Sequence, residues 1–383
     1  MTVQGTSREQ KPATLPGSDT GTAQVVTILG AGAMGSALAT PLRARGHHVR
    51  LWGTWLDDDL LNAIEAGGNL RTNVPVPAGT ALYRVDQLAD ALEGAGSVII
   101  AVASAGVEAV VARVCQTGFD LSSAQAALLT SKGFARKSDG TVHLLTDAVR
   151  SVAAEYSPCA VPLVGVAGPC MANEVAASRP TAAVFASHHR ECAEGAATLF
   201  ATATYQPVVS DDEVGLEVSA ALKNVYAIAL GFADGLSEAS TNAVPYRNLK
   251  SALFSRAIFE MSLITRELGG QVTTVYGLPG VGDLEVTGLV GRNKVFGSHI
   301  GGGQTAGEAL SEMEATGQVV EGVPATRLAT ALTEQRLPAH ADQLPLLHAI
   351  AGVVDEQADP YSTLVGAALT PLAPGSDSEG IVM

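Results

Sequence analysis

At 383 residues the chain is longer than one hydrophobic core usually supports, and 47% hydrophobic against 16% charged residues excludes a disordered polymer and favours two packed domains. The formal net charge of −15 excludes the phosphate backbone of a nucleic acid as a partner, although a few local cations suffice for a small anionic ligand. Four cysteines, Cys115, Cys159, Cys170 and Cys192, form no C-x-x-C pair and no zinc spacing, which points to ordinary thiols in a reducing cytoplasm and to a protein without a metal site.

Residues 1–23, rich in Thr, Gly, Ser, Gln and Pro and without an apolar run, are expected to be a disordered extension and not a signal peptide. From residue 24 the pattern alternates. "QVVTILG" is a β-branched run closing on glycine, a helical pattern runs from Met34 to Arg45, and "HVRLW" follows; strand, helix, strand predicts a parallel unit. Short apolar runs at "SVIIAVAS", "AALLTSKG", "VPLVGVAGP", "TAAVFAS" and "YQPVVS" read as further strands of a parallel sheet covered on both faces. Residues 24–209 are thus predicted to form an α/β, doubly wound, Rossmann-type domain. After Ser210 the pattern becomes helical at 213–234, 246–268, 305–316, 323–335, 343–353 and 359–368, with no strand, so residues 210–370 are predicted to be an all-α domain. Residues 371–383 read as a second loose tail, and no uninterrupted run is expected to insert in a membrane.

Within the first unit, "GAGAMG" places Gly30, Gly32 and Gly35 in the G-x-G-x-x-G spacing between a strand and a helix. The three glycines serve a tight turn, close approach to a pyrophosphate and helix–strand packing, and the helix opening at Ala33 and Met34 offers phosphate its backbone donors. A dinucleotide is the implied cofactor. The second strand ends in "LWGTW" with no acid at Leu51, Trp52, Gly53 or Thr54, where NAD-specific folds place one for the ribose 2′-OH; Arg50 and Thr54 nearby lean the choice slightly toward NADP over NAD. Asp57, Asp58 and Asp59 read more simply as the first turn of a helix.

Four more stretches carry chemistry. In "LLTSKGF", Lys132 stands at the carboxyl edge of the sheet, where ligands of open α/β folds bind, although alone it could be a loop lysine. "VAGPCMANEVA" sets the turn Gly168–Pro169 before a helical stretch whose free N–H groups suit an anionic oxygen. "EVSAALKNVYAIALGF" is apolar nearly all round, so Lys223 either snorkels outward or is buried against a partner, with Asn224 beside it. "YGLPGVGDLEVTGLVGRNKVFG" gathers Asp283, Thr287, Arg292 and Asn293, a carboxylate, a hydroxyl and a guanidinium clamp suited to a small phosphorylated polyol. Glu321 of "GQVVEG" reads, by itself, as a solvated helix-end acid. His188 and His189 read as surface residues.

The ordered set "GAGAMG", "SKG", "GP-x-x-A-x-E", "ALKNVYAIA", "G-x-GDL-x-x-T", "RN-x-x-FG" and "GQVVEG" resembles the NAD(P)-dependent glycerol-3-phosphate dehydrogenase family, from about Val25 to Gly322 and more weakly to about residue 368. The resemblance implies a Rossmann domain followed by an all-helical domain, as in 6-phosphogluconate dehydrogenase-like proteins, and a homodimer. It further implies hydride transfer from NAD(P)H to C2 of dihydroxyacetone phosphate, giving sn-glycerol 3-phosphate for glycerophospholipid synthesis. In residue terms it implies that Lys223 is the proton donor and acceptor at the C2 oxygen, and that Lys132 touches both cofactor and substrate. Gly168 and Cys170 would line the substrate site and Ala172 would lie by the cofactor. Asp283, Arg292 and Asn293 would hold the substrate, with Arg292 also on the cofactor, supported by Asn224 and Thr287. Val319 and Glu321 would belong to a cofactor-contacting loop.

Against that pattern the chain has Cys170 where many members carry Thr or Ser, Met171 for Phe, Ala103 for Pro, and Gly291 for Ser. Lost hydroxyls near the substrate are the support for another small phosphorylated or carboxylated ketone as the substrate; a nucleotide sensor without turnover is a separate alternative, against which both lysines, Asp283 and Arg292 are all present. Asp283 is the most economical carboxylate to orient Lys223, whose pKa burial should lower and Asp283 raise.

Overall fold

A computed structural model describes residues 22–242 and 244–371. The extension expected over residues 1–23 and the tail expected over 371–383 fall outside these, residues 22, 23 and 371 apart.

Eight strands make one sheet: β1 (Val25–Leu29), β2 (His48–Trp52), β3 (Ala81–Tyr83), β4 (Ser97–Ile100), β5 (Ala126–Leu129), and, after a separate hairpin of β6 (Phe134–Arg136) and β7 (Val142–Leu144), β8 (Leu163–Ala167), β9 (Thr181–Ala186) and β10 (Tyr205–Ser210). The order is β10-β9-β8-β5-β4-β1-β2-β3, with β1 central to the nucleotide-binding half. Helices α1 (Ala33–Ala44) and α2 (Asp58–Glu65) cover one face, α3 (Leu88–Leu92), α4 (Val107–Gln116) and α5 (Leu145–Ala154) the other, and α6 (Ala172–Ala176) and α7 (Arg190–Phe200) return to the first. The unbroken apolar runs follow from this double cover: Val98, Ile99 and Ile100 of β4 are wholly buried between the layers.

One expectation is corrected. Within the eight-stranded sheet all pairings are parallel except β8 with β9, which run antiparallel. A parallel return needs a crossover of a dozen or more residues, usually a full helix, and the link from Gly168 to Pro180 spends its length on a Gly-Pro turn and the five-residue α6. The chain therefore comes back down the sheet, and α7 restores the parallel sense to β10.

Beyond Ser210 the described residues hold no strand. The long α8 (Glu213–Ala239) is followed by α9 (Arg247–Glu267), α10 (Val272–Tyr276), a π-helical turn at Leu278–Gly282, α11 (Asp283–Val290), α12 (Arg292–Gly301), α13 (Ala306–Ala315), α14 (Gly322–Arg336), α15 (Pro345–Val354) and α16 (Pro360–Leu369). Helix α8 is long and apolar enough to span a bilayer, but its apolar window is entirely buried in the protein. Its first turns pack on β8 and β9 through Leu216 and Ala220, and the rest is the axis of the helical core.

Helix α12 lies against α8 at backbone distance. A β-carbon at Gly231 would collide with the Lys294 carbonyl and one at Gly235 with the Ser298 carbonyl; reciprocally, Gly297 and Gly301 meet the Ile228 and Phe232 carbonyls. Glycine disfavours helix interiors by about 1 kcal/mol each, a cost offset here by contact that no other residue permits. Gly297→Ala is expected to lower stability by roughly 1–3 kcal/mol or more, read as a drop in melting temperature, because two helices would have to part. An unchanged melt would show that the contact is looser than described.

The two halves meet along α5 and the start of α8. Arg150 donates to both carboxylate oxygens of buried Glu213 at 2.6 and 2.8 Å, and Thr146 donates its N–H and hydroxyl to Glu217 at 3.0 and 2.5 Å. Gln335 of α14 grips the hairpin, accepting from Val142 N–H and donating to the Gly140 carbonyl. Burial pushes the Glu217 carboxyl up to about 8, the nearby Glu213 charge adding to it against the Thr146 hydrogen bonds. A carboxyl with a raised folded pKa contributes stability below its unfolded pKa that is lost as pH climbs to the folded value. Melting temperature should therefore fall between about pH 4.5 and pH 8 on this group's account, and Glu217→Gln should flatten that slope; an unaltered slope would assign the dependence to another group.

Candidate active site

Strand β5 ends at Leu129, and the chain turns through Ser131, Lys132 and Gly133 at the carboxyl edge of the sheet. Ser131 pins this turn by donating to the Val102 carbonyl at 2.6 Å, and Gly133, at φ +155°, leaves room for Ser104. From the other half, α8 brings Lys223 to the same point, six residues past the buried Glu217. Asp283, the first residue of α11, is delivered by the π-helical turn.

The carboxylate of Asp283 is shared. Oδ2 lies 2.5 Å from Lys132 Nζ and Oδ1 lies 2.8 Å from Lys223 Nζ, so one acid ties the sheet edge to the helical core. Thr287, one turn along α11 and on the same face, accepts a second hydrogen bond from Lys223 Nζ at 2.8 Å. Lys132 Nζ also reaches the Gly168 carbonyl at 3.4 Å. The alternative between an outward and a buried Lys223 is thus settled in favour of burial: the residue is 9% exposed and its ammonium is paired.

The electrostatics split the two lysines. Burial opposes the charge on Lys132, but Asp283, together with Cys170 and Glu321, outweighs it and holds this lysine above its usual range. For Lys223 burial wins, aided by the Lys132 charge and opposed by Asp283, and the group falls below the usual lysine value. Burial also works against the Asp283 carboxylate, yet the two ammonium groups keep it below the ordinary range. Cys170 is pushed up to about 11 by burial despite Lys132, so it is a neutral thiol beside the cations and not a nucleophile.

A second layer adjoins this one. Asn293 donates to the Asn224 side-chain oxygen at 2.9 Å and accepts from the Gly322 N–H at 2.8 Å. The buried Asn224 Nδ2 has no protein partner, which leaves a donor next to Lys223 for a polar ligand. Arg292 and Glu321, neighbours of Asn293 and Gly322, are half-exposed and face each other at 3.6 Å. Glu321 therefore has a cation partner at the rim of the site, and Val319 stands 59% exposed beside it.

The glycine loop shares a wall with the lysines. A side chain at Gly30, which has φ +110°, would strike the Ala101 carbonyl and Val102, and Val102 is the residue that anchors Ser131. Gly35 packs against the Gly30 carbonyl, whereas a β-carbon on Gly32 would meet nothing within 4 Å. Gly32 caps α1 without a side-chain hydrogen bond, and the first turn of the helix holds no acidic residue, so the backbone donors of Ala33 and Met34 meet no negative charge from their own helix. The loop fits a dinucleotide pyrophosphate on these grounds. Met34, Cys170 and Ala172 pack on one core cluster, which joins the loop to the Gly168 turn.

Two residues near the second strand have other engagements. The Arg50 guanidinium donates to the carbonyls of Asp90, Ala91 and Glu93, and the Thr54 hydroxyl donates to Asp57 Oδ2 at 2.9 Å. Asp57, read above as part of a helix's first turn, precedes α2, and its carboxylate binds more widely: Oδ2 also accepts from Thr54 N–H at 2.8 Å and from Ala31 N–H at 3.3 Å. It fastens the turn after β2 to the glycine loop. The T-x-x-D spacing of Thr54 and Asp57 was the available signal for this role.

Comparison with known proteins agrees with this geometry. Residues 25–193 match the N-terminal region, and residues 212–365 the C-terminal region, of NAD-dependent glycerol-3-phosphate dehydrogenase. The chain is 37% identical over 300 residues to an NADP(+)-dependent glycerol-3-phosphate dehydrogenase of Archaeoglobus fulgidus, covering 78% of this chain and 86% of that one. It is 31% identical to a glycerol-3-phosphate dehydrogenase [NAD(P)+] of Coxiella burnetii, covering 88% and 95%. The crystal structure of glycerol-3-phosphate dehydrogenase from Coxiella burnetii superposes with a TM-score of 0.77 at 31% identity, over 91% of this chain and 99% of that one. A yeast glycerol-3-phosphate dehydrogenase structure, 19% identical with a TM-score of 0.72 over 91% and 100%, shares the fold.

Proposed function

We propose, from the premise that this chain belongs to the NAD(P)-dependent glycerol-3-phosphate dehydrogenase family, that it interconverts dihydroxyacetone phosphate and sn-glycerol 3-phosphate. The observation that carries the assignment of roles is the single carboxylate of Asp283 held between Lys132 and Lys223.

A dinucleotide, NADP or NAD, would supply or accept the hydride when bound. Gly30, Gly32, Gly35, Ala33 and Met34 would hold its pyrophosphate, Thr54 would stand at the adenosine end, and Lys132, Ala172, Arg292, Val319 and Glu321 would line its approach to the substrate. An ammonium group has three N–H donors, and Lys223 directs two of them to Asp283 and Thr287. The third is left for the C2 oxygen. Two lysines and one aspartate leave a net charge of +1 around that oxygen, which suits the negative charge that grows there during reduction. Lys223, with its lowered pKa, hands over the proton, while Lys132 keeps its charge and binds. Arg292, Asn293 and the free Asn224 amide take the phosphate, with Gly168 and Cys170 closing the other side.

On the same reading the product serves glycerophospholipid synthesis in the cytoplasm, and the working enzyme is a homodimer; family membership supports these finer points. The test is absorbance loss of NADPH and NADH by the purified protein with dihydroxyacetone phosphate and a panel of other small ketones. Rapid loss with dihydroxyacetone phosphate is expected. Turnover only with another ketone would keep the hydride chemistry and overturn the substrate.

A further inference from the structure

We propose that Arg113, stacked on Trp55, is the residue pair that recognises the 2′-phosphate and adenine of NADP in this chain. The inference deepens the cofactor reading above and rests on it. In doubly wound sheets the adenosine ribose lies beyond the carboxyl end of the second strand. Here that place is occupied by the turn Thr54–Asp57, closed by the Asp57 N–H bond to the Thr54 carbonyl and tied by the Asp57 carboxylate to Ala31 of the glycine loop. Trp55 stands at the tip of this turn, 46% exposed, whereas the chain's other tryptophan, Trp52, is wholly buried.

The Arg113 guanidinium lies over the Trp55 ring at 5.5 Å from its centre. Arg113 belongs to the last turn of α4, the helix that follows the Ala101–Gly106 segment bordering the glycine loop, and its side chain reaches the turn after β2 through the Trp55 ring. Cations elsewhere near β2 are spent: Arg50 on three carbonyls and Arg84 on Glu65 and Asp58. Arg113, half-buried, has among the described residues no carboxylate or carbonyl within bonding distance of its guanidinium. In a chain with a net charge of −15, a half-buried guanidinium that stacks on the turn tied to the glycine loop and pairs with no carboxylate has the charge and the planar donors that suit a doubly charged phosphate. The indole supplies a flat apolar surface for the purine and holds the guanidinium plane in place. Asp57 is the opposing group, since its charge would repel a 2′-phosphate and suit a ribose hydroxyl. Its Oδ2 is already held by three donors, which draw that charge inward.

The experiment is calorimetric titration of the full chain with 2′,5′-ADP and with 5′-ADP, alongside Trp55 fluorescence. Wild type should prefer 2′,5′-ADP. Arg113→Ala should weaken 2′,5′-ADP by roughly 10- to 100-fold, the loss of a charge-assisted contact, and leave 5′-ADP within about threefold; Arg113→Lys should recover part of the loss. Trp55→Leu should weaken both nucleotides. A variant Arg113→Ala that keeps the wild-type preference, or a wild type that prefers 5′-ADP, overturns the proposal and returns the ribose to Asp57. A wild type that binds neither nucleotide overturns the cofactor reading as well.

Discussion

Replacing Lys223 by alanine is expected to reduce turnover by roughly 10³-fold or more while cofactor affinity stays within a few-fold. The proton at the C2 oxygen and half of the positive charge around it leave together, and neither Lys132 nor Asp283 can substitute, since each is already bound to the other. The variant should fold, because Asp283 keeps one cation. Rates of NAD(P)H oxidation and a melting curve make the test, and turnover within a few-fold of wild type would sink the assignment. The wild-type enzyme should lose ketone reduction as pH rises through the lowered pKa of Lys223, which removes the proton donor. Glycerol 3-phosphate oxidation should be lost in the opposite direction, where the base becomes protonated.

Asp283→Asn is expected to cost about 3–5 kcal/mol of stability as well as activity, because it leaves two buried ammonium groups repelling one another without a carboxylate. Its sharper signature is the pH profile. Asp283 is the group that raises the Lys223 pKa against burial, so its removal should move the alkaline fall in ketone reduction to lower pH. A variant with an unmoved profile and an unchanged melt would show that Asp283 carries no charge-orienting role.

The parts of the site that were legible in the sequence are those that one segment specifies alone. Gly30, Gly32 and Gly35 are read from a spacing whose mechanics are local, and Lys223 from being polar on an otherwise apolar helix. The partners of Lys223 are less so: Asp283 and Thr287 are about sixty residues away, and only the family resemblance brought them near. Helices α11 and α12 fall in a glycine-rich stretch absent from the helical patterns read above, because Gly288, Gly297 and Gly301 inside them and Gly291 between them lower helix propensity. Packing against α8 overrides propensity there. The antiparallel β9 was missed because an apolar run carries no direction; only the shortness of α6 reveals it. Asp57 was assigned to a helix start because its bond to Ala31 crosses from one loop to another.

Helix α8 changes what the division of this chain means. In sequence the change from alternating to helical pattern falls near residue 210, yet the 27 residues of α8 begin on the sheet and end in the helical core. The Glu213 carboxylate and the Glu217 carboxyl are satisfied by α5, so severing the chain at that point would leave buried polar groups without partners in one fragment and bare β8 in the other. What divides in composition is joined in free energy. Unfolding should then be a single cooperative event, with the amides in the middle of α8 among the last to exchange with solvent.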